Sequence, residues 1–532
     1  MNNIFKKFWS NNFFVFLLLF VVGFAIYANS FVVPFFWDDN DNVVNNTYVK
    51  SWEYFGKYFS ENLVAGAGLM SNYWRPFLLI TYSLDYNFFG LNKYWWHFVD
   101  VSLHVLVAFF LFLILAYLFK RKNFALLISL VFLAHPLQTE AISMITARAD
   151  PLFFVFFLAS IFLYFKRRVV LSLLLFAFAL LSKEIAITLP AVLLLIEICF
   201  FLKEKLDIKK IFLKVLPFAS LAGLYFWARL TILNFSNTLN FYDDASVEVA
   251  NFGVRILTFF KALLVYFKLM LFPANLHSER LFEPATFFTF SIFASIVLFL
   301  FMFVFSLIRF KKNKTYFFGF GWFMIALAPV SGVLIPINRL IYEHWLYVPL
   351  IGFFIFLFEL LREVFGKFKM PRVVLMFLVL LYLCFFCGAT INRNFDWKNP
   401  IVFYNNILKY NTQSLLVWNN LGMEYANIGM LEEAEASYRE AVILDKESRS
   451  APPHHNLGNL YKEKGLVEEA EIELMKAIEI DKNFYFSYNA LADLYLKTGQ
   501  YDKLKNILRD KLEVYPDDFS AQELLRQIKE TE

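Results

Sequence analysis

Runs of about twenty apolar residues recur along the chain from near Phe13 to about residue 392 and then stop. A helix of that length crosses the ~30 Å hydrocarbon core of a bilayer, so the pattern predicts a bundle of membrane-spanning helices over most of the chain. Beyond residue 411 the apolar positions follow a fixed longer period instead. Trp418, Leu421, Gly422, Tyr425, Gly429, Ala434, Tyr438 and Ala441 return as His454, Leu457, Gly458, Tyr461, Gly465, Ala470, Leu474 and Ala477, and a third copy runs Tyr488, Leu491, Ala492, Tyr495 and Gly499, with Pro516 at its close.

Self-similarity at such a period marks a stack of helix pairs, and these positions resemble tetratricopeptide repeats. Small residues at Gly422, Ala434 and Ala441 let two antiparallel helices approach, while the large residues fill the groove between neighbours. Leu504 and Lys511 replace the expected alanines in the third copy, as in a terminal unit with no neighbour to pack on. Arrays of this kind hold an extended peptide or a partner protein; a rigid spacer is the plainer reading.

Charge sharpens the division. Residues 411–532 carry 14 Lys/Arg against 23 Asp/Glu, which leaves 36 against 22 upstream from the chain's totals of 50 and 45. A basic membrane part is thus joined to an acidic soluble one, and with 59% hydrophobic and 18% charged residues a disordered or wholly soluble protein is excluded. Lys and Arg beside a span are retained in the cytoplasm. The clusters Lys6/Lys7, Lys120–Lys122, Lys166–Arg168, Lys203–Lys214, Arg309–Lys314 and Arg362–Arg372 fall after alternate runs, so the loops at 37–97, 135–150, 182–184, 231–286 and 331–341 face outward. Residues 254–272 are interrupted by Arg255, Lys261 and Lys268 and are read as an interfacial or re-entrant helix. About eleven spans remain, which places the N-terminus inside and the repeats outside. The lysines before the first run, and its length, mark it as a retained anchor rather than a cleaved leader. Cys199, Cys384 and Cys387 lie in apolar stretches and are read as packing residues, since no second pair completes a zinc site.

The outward loops hold the polar clusters. Trp37-Asp38-Asp39 follows the first run, and the same face offers Arg75, His97, His104, His135, Glu140, Arg148, Asp150, Lys183 and Glu184. Ionisable groups at membrane depth are costly and tend to be functional. Each cation has a structural alternative: Arg75 with Asp85, Arg148 with Asp150, Lys183 with Glu184. A hard divalent cation on Asp38 and Asp39 is a further alternative, although no third acidic ligand accompanies them.

Phe36-Trp37-Asp38-Asp39 with Asn45, Tyr73-Trp74-Arg75-Pro76, His97 and His104 resemble the first outer loop of the transmembrane-and-tetratricopeptide-repeat protein O-mannosyltransferases. The resemblance continues, in order, through His135-Pro136, Thr139-Glu140-Ala141, Arg148-Ala149-Asp150, Ser182-Lys183-Glu184 with Thr188, Trp322-Phe323, Pro329-Val330-Ser331, Glu343, Tyr347, Pro349, Gly352, Arg393-Asn394 and Asp396-Trp397. His344 departs from it, standing where an arginine is expected, and Glu279 stands in place of an aspartate.

The resemblance implies an all-α, polytopic GT-C-type bundle over residues 1–392, a linker at 393–410, and an α-solenoid of about three tetratricopeptide repeats over 411–532. It implies transfer of mannose or another hexose from a polyprenyl-phosphate sugar to a hydroxyl, most naturally Ser/Thr of a protein held by the repeats. Within that reading Asp38 and Asp39 are the catalytic carboxylates, and Arg75, His97, Arg148, Lys183 and Arg339 hold the donor phosphate. His135, Glu140, Asp150, Glu184 and Glu343 support them. Membrane lipids are the expected surroundings, nucleic acid is not a partner, and a composition rich in Phe, Lys and Asn points to a bacterial relative whose outer face is the periplasm. A transporter or flippase, or an inactive repeat-bearing scaffold, remains the rival from another class; no inverted repeat favours the former.

Overall fold

A computed structural model describes residues 11–201, 208–235, 251–334, 341–447 and 449–530. Lys6, Lys7 and Arg339 lie outside them. No strand occurs among the described residues, and the chain divides into two compact units, residues 1–398 and 399–532.

The first unit begins with α1 (Asn12–Ile26), followed by an irregular loop of short helical turns up to α2 (Pro76–Phe89). Then come α3 (Lys93–Phe119), α4 (Lys122–Ala134), α5 (Ala149–Phe165), α6 (Val169–Leu180), α7 (Leu189–Ile196) and α8 (Ile208–Leu230). The unit closes with α9 (Phe252–Leu271), α10 (Phe290–Arg309), α11 (Thr315–Leu327), α12 (Pro349–Lys367) and α13 (Arg372–Asp396).

Six helical segments are each long and apolar enough to cross a membrane: Lys93–Phe119, Ile145–Phe165, Glu184–Phe201, Lys209–Leu230, Phe290–Arg309 and Arg372–Asp396. A seventh results if α4 and the turns after it, bent by 54° at His135, count as one span. Asn12–Ile26, Val169–Leu180 and Thr315–Val330 are apolar but shorter, and at 1.5 Å rise per residue such helices fall short of a ~30 Å core. Phe293, Val297, Leu300, Val304 and Leu307 on α10, and Val373, Phe377, Leu380 and Leu381 on α13, are exposed. Apolar faces of that extent are suited to lipid rather than water.

Packing inside this unit relies on close backbone approach. A Cβ on Gly319 would lie 2.8 Å from the Gly352 carbonyl oxygen and 2.8 Å from the Phe356 nitrogen, so α11 and α12 touch main chain to main chain, a contact that small residues permit in membrane bundles. Polar side chains fasten the two ends of the unit's sequence together. Asn394 on α13 donates to Asn29 Oδ1 (2.8 Å) and to the Ile26 carbonyl (3.1 Å), while Asn29 donates to the Ile391 carbonyl (2.8 Å) and Ser143 to Asn394 Oδ1 (3.3 Å). The segment Phe252–Leu271 is one unbroken helix, with Phe259, Leu263, Tyr266, Phe267 and Met270 buried.

The second unit starts with α14 (Pro400–Leu408) and continues as helix pairs: α15 (Leu415–Asn427) with α16 (Leu431–Leu444), α17 (Ala451–Glu463) with α18 (Val467–Ile480), α19 (Tyr485–Lys497) with α20 (Tyr501–Val514). Each pair turns at a glycine in the left-handed region, Gly429 (φ 79°), Gly465 (φ 74°) and Gly499 (φ 70°), a conformation that glycine adopts without Cβ strain. The small-residue rule holds in detail, since a Cβ on Gly422 would come within 2.6 Å of the Tyr438 ring and one on Gly458 within 2.7 Å of Leu474.

One expectation changes. The third pair does have a neighbour, because α21 (Phe519–Glu530) packs on it and buries Ala521 and Ile528. Leu504 is fully buried in that core, and Lys511 pairs with Asp518 and donates to Asn489 Oδ1 at 2.6 Å. The alanines are replaced because a single closing helix meets this pair differently from a further repeat.

Candidate active site

The first loop turns sharply after Phe36. Trp37 adopts φ 54°, a region that a bulky residue enters only at a cost of about 1–2 kcal/mol, and the two carboxylates that follow part company. Asp39 is buried and accepts hydrogen bonds from the Thr146 amide (2.8 Å) and the Phe36 amide (3.4 Å). It therefore ties the first loop to the segment just before α5. Asp38 is exposed, its carbonyl accepting a bond from the Asn42 side chain (2.8 Å). Among the described residues no group of three or more His, Cys, Asp or Glu could hold a metal ion, which leaves the carboxylate pair without a third ligand.

Electrostatics separate the two acids from ordinary surface carboxylates. Although Asp38 reaches solvent, the protein around it displaces enough water to raise its pKa to about 6; Asp41, Glu140 and Glu279 push it further in that direction, and His344 pulls it back. Asp39 is raised to about 7, first by burial, with its bonds from Thr146 and Phe36 opposing the shift and Asp38 adding to it. Asp38 thus faces a mixed group of acids and one imidazole contributed by three other stretches of chain.

Glu140, on the helical turn Thr139–Ser143, places Oε1 2.7 Å from His344 Nδ1. Its other oxygen is buried with no hydrogen-bond partner among the described residues. Beside His344, Glu343 is almost fully buried and accepts from the His277 amide (2.7 Å) and from Arg280 (2.7 Å), with Arg393 at 3.5 Å. Arg393 in turn pairs with Asp396 at 2.8 Å. The Glu343–His344 dipeptide is therefore fixed from behind while the imidazole turns towards Glu140.

The structure redistributes the expected ion pairs. Arg75 does not pair with Asp85; it contacts Glu184 through Nε and NH2 (2.9 Å) and lies over the Tyr73 ring. Arg148 does not pair with Asp150; it is fully buried, donating to Asp100 (2.5 Å), Asp85 (2.6 Å) and the Trp96 carbonyl (3.2 Å). Lys183 does not pair with Glu184; it holds Asp150 at 2.7 Å. His97 is buried with Nε2 3.0 Å from the Val33 carbonyl, and His135 is buried with Nε2 3.0 Å from the Met270 carbonyl while Nδ1 accepts from Leu137. Both histidines brace loop ends.

Asp100, Arg280 and His344 were not among the residues singled out for chemistry. Asp100 had a signal, being a carboxylate within a 27-residue apolar helix, where a charge demands a partner. Arg280 had none, since its role depends on a fold that brings it to Glu343, 63 positions away.

Tetratricopeptide repeat family models match residues 416–448, 451–484 and 473–504. The chain is 25% identical over 463 residues to protein O-mannosyl-transferase TMTC3 of Mus musculus, covering 77% of this chain and 49% of that protein. It is 24% identical over 443 residues to protein O-mannosyl-transferase F38B6.6 of Caenorhabditis elegans, covering 81% and 62%, and 26% identical to the Homo sapiens TMTC3, covering 77% and 49%. The chain thus spans about half to three-fifths of the length of these relatives.

Proposed function

From its fit to the repeat-bearing protein O-mannosyl-transferases, we propose that this chain is a membrane glycosyltransferase of the GT-C type. It moves mannose or another hexose from a polyprenyl phosphate to a Ser or Thr hydroxyl of a protein on the outer face of the membrane. Eleven spans follow if the six long helices are joined by the bent pair, by Pro349–Lys367 and by the three shorter apolar helices, over which the bilayer thins to match their length, with Phe252–Leu271 at the interface. The basic clusters then keep the N-terminus inside and bring the Asp38 loop and the chain beyond Asp396 outside. Residues 1–392 form the catalytic part, 393–410 the linker, and the repeats of 411–532 hold the acceptor or a partner protein.

Asp38 is the base. The acceptor oxygen attacks the anomeric carbon as its proton passes to the Asp38 carboxylate, and the carbon–oxygen bond to the phosphate breaks, leaving the electron pair on the prenyl phosphate. A base works best when its pKa approaches the working pH, and the observation carrying this reading is the value of about 6 at a carboxylate that is held open by its anchored neighbour. Asp39 positions rather than reacts. Arg75 and Lys183 each hold a carboxylate, Glu184 and Asp150, at the flank of the site, and Arg148 belongs to the scaffold.

Asp38→Asn keeps the shape and removes the base, so turnover in a transfer assay with a prenyl-phosphate sugar should fall by ~10²- to 10⁴-fold while the protein elutes and melts like wild type. Because Asp38 must be ionised, the wild-type rate should rise with pH through about 6. Near wild-type turnover in the Asn variant would reject Asp38 as the base.

A further inference from the structure

A lipid phosphate leaving group accumulates negative charge as its bond to the sugar breaks, and it needs a donor that is free to turn towards it. Three of the cations singled out by the sequence are already answered among the described residues: Arg75 by Glu184, Lys183 by Asp150, and Arg148 by two carboxylates at once. Arg280 and Arg393 share Glu343, and Arg393 also holds Asp396. Each of these sites has little or no net positive charge left for a phosphate.

His344 differs. Its Nδ1 is engaged by Glu140 at 2.7 Å, whereas no bond is made by Nε2 among the described residues, and the side chain retains 22% of its exposure. An ionised carboxylate only accepts, so the proton of that bond belongs to Nδ1, and the opposite ring nitrogen becomes a donor once the imidazole is charged. It is also among the groups whose charge acts on the Asp38 carboxylate. Tyr342 and Trp345 pack beside the ring, and the Glu343–Arg280 pair holds its backbone.

We propose that His344, oriented by Glu140, donates from Nε2 to the phosphate of the departing prenyl phosphate and is a further catalytic residue of this enzyme. Glu140 is its positioning partner: the carboxylate accepts from Nδ1 and fixes the ring while the phosphate accepts from the far side. The proposal rests on the transferase reading above, and its test separates the two.

Farnesyl phosphate serves as the probe, with farnesol as the uncharged control, in detergent-solubilised full-length protein. Wild type and Asp38→Asn should both melt higher with farnesyl phosphate than with farnesol, because Asp38 does not hold the phosphate. His344→Gln should lose that difference and about 100-fold in kcat, the lower end for removing one transition-state donor. His344→Arg, which can donate but cannot act as a base, should regain the melting shift and come within about 10-fold of wild-type kcat. If His344→Gln keeps the full shift and kcat, or if His344→Arg is as defective as His344→Gln while still folded, the phosphate role of His344 is wrong. A wild-type enzyme that ignores farnesyl phosphate but loses transfer in Asp38→Asn overturns this inference alone. Full transfer by Asp38→Asn overturns the reading beneath it.

Discussion

The two units treat charge in opposite ways. In the first, Arg148 has no exposed surface and faces two buried carboxylates, Asp85 and Asp100. In the second, Arg439 and Glu435 pair across one helical turn with side-chain exposures of 60% and 22%, and the Lys503–Glu471 pair is similarly open. A buried ion pair is held only when its geometry repays desolvation, and it is punishing to break; a surface pair contributes little either way. The first unit spends stability to place charge in its interior, and the second, Lys511 with Asp518 apart, keeps its charge mostly in water and draws its cohesion from small residues and apolar contacts. Sites that need tuned acids belong where water is scarce.

That contrast can be broken by measurement. Arg148→Met leaves Asp85 and Asp100 without their cation and should destabilise the first unit by about 3–5 kcal/mol, read as a large fall in the thermal midpoint in detergent; an unchanged midpoint would remove the contrast altogether. Gly319→Ala comes next, because the added methyl meets main chain on α12 that cannot rotate away, and a loss near the top of about 1–3 kcal/mol is expected for such overpacking. Gly422→Ala meets only the Tyr438 ring and should cost less than Gly319→Ala; the reverse order would show that close backbone approach is not what distinguishes the units. Smallest is Arg439→Ala, for which about 0.3–0.5 kcal/mol is expected, so a midpoint within error of wild type supports the comparison and a fall as large as that of Arg148→Met ends it.

The repeats were legible because their rule is periodic: glycines and alanines recur at spacings that one helix pair imposes on the next. The site was legible only in its membership. Asp38, Asp39 and Glu140 could be singled out as polar residues in outward loops of an apolar chain, and Glu343 through the family resemblance, but the pairs among the charges could not. Arg148 with Asp150 and Lys183 with Glu184 were natural guesses from adjacency, yet residues one or two apart on a helix point in different directions. The true partners lie 48, 63 and 33 positions off. Distance along the chain also hid the closing role of α21, whose short amphipathic sequence follows Pro516 without a repeat's signature. The parting of Asp38 from Asp39 was hidden for another reason, since it depends on an unusual backbone conformation at Trp37 that no side-chain pattern announces.

The knot of amides between Asn29 and Asn394 sets a timetable for biogenesis. The outlet of α1 is made well before α13, and the side chain that completes its bonds comes 365 residues later. At roughly 5–20 residues per second of synthesis, about 20–70 s separate the two. For that interval the Ile26 carbonyl and the Asn29 amide wait for α13 to arrive. A chain released before Asn394 carries the complete Asp38 loop with this fastening undone, and such a stalled product offers quality control an unsealed polar seam to recognise.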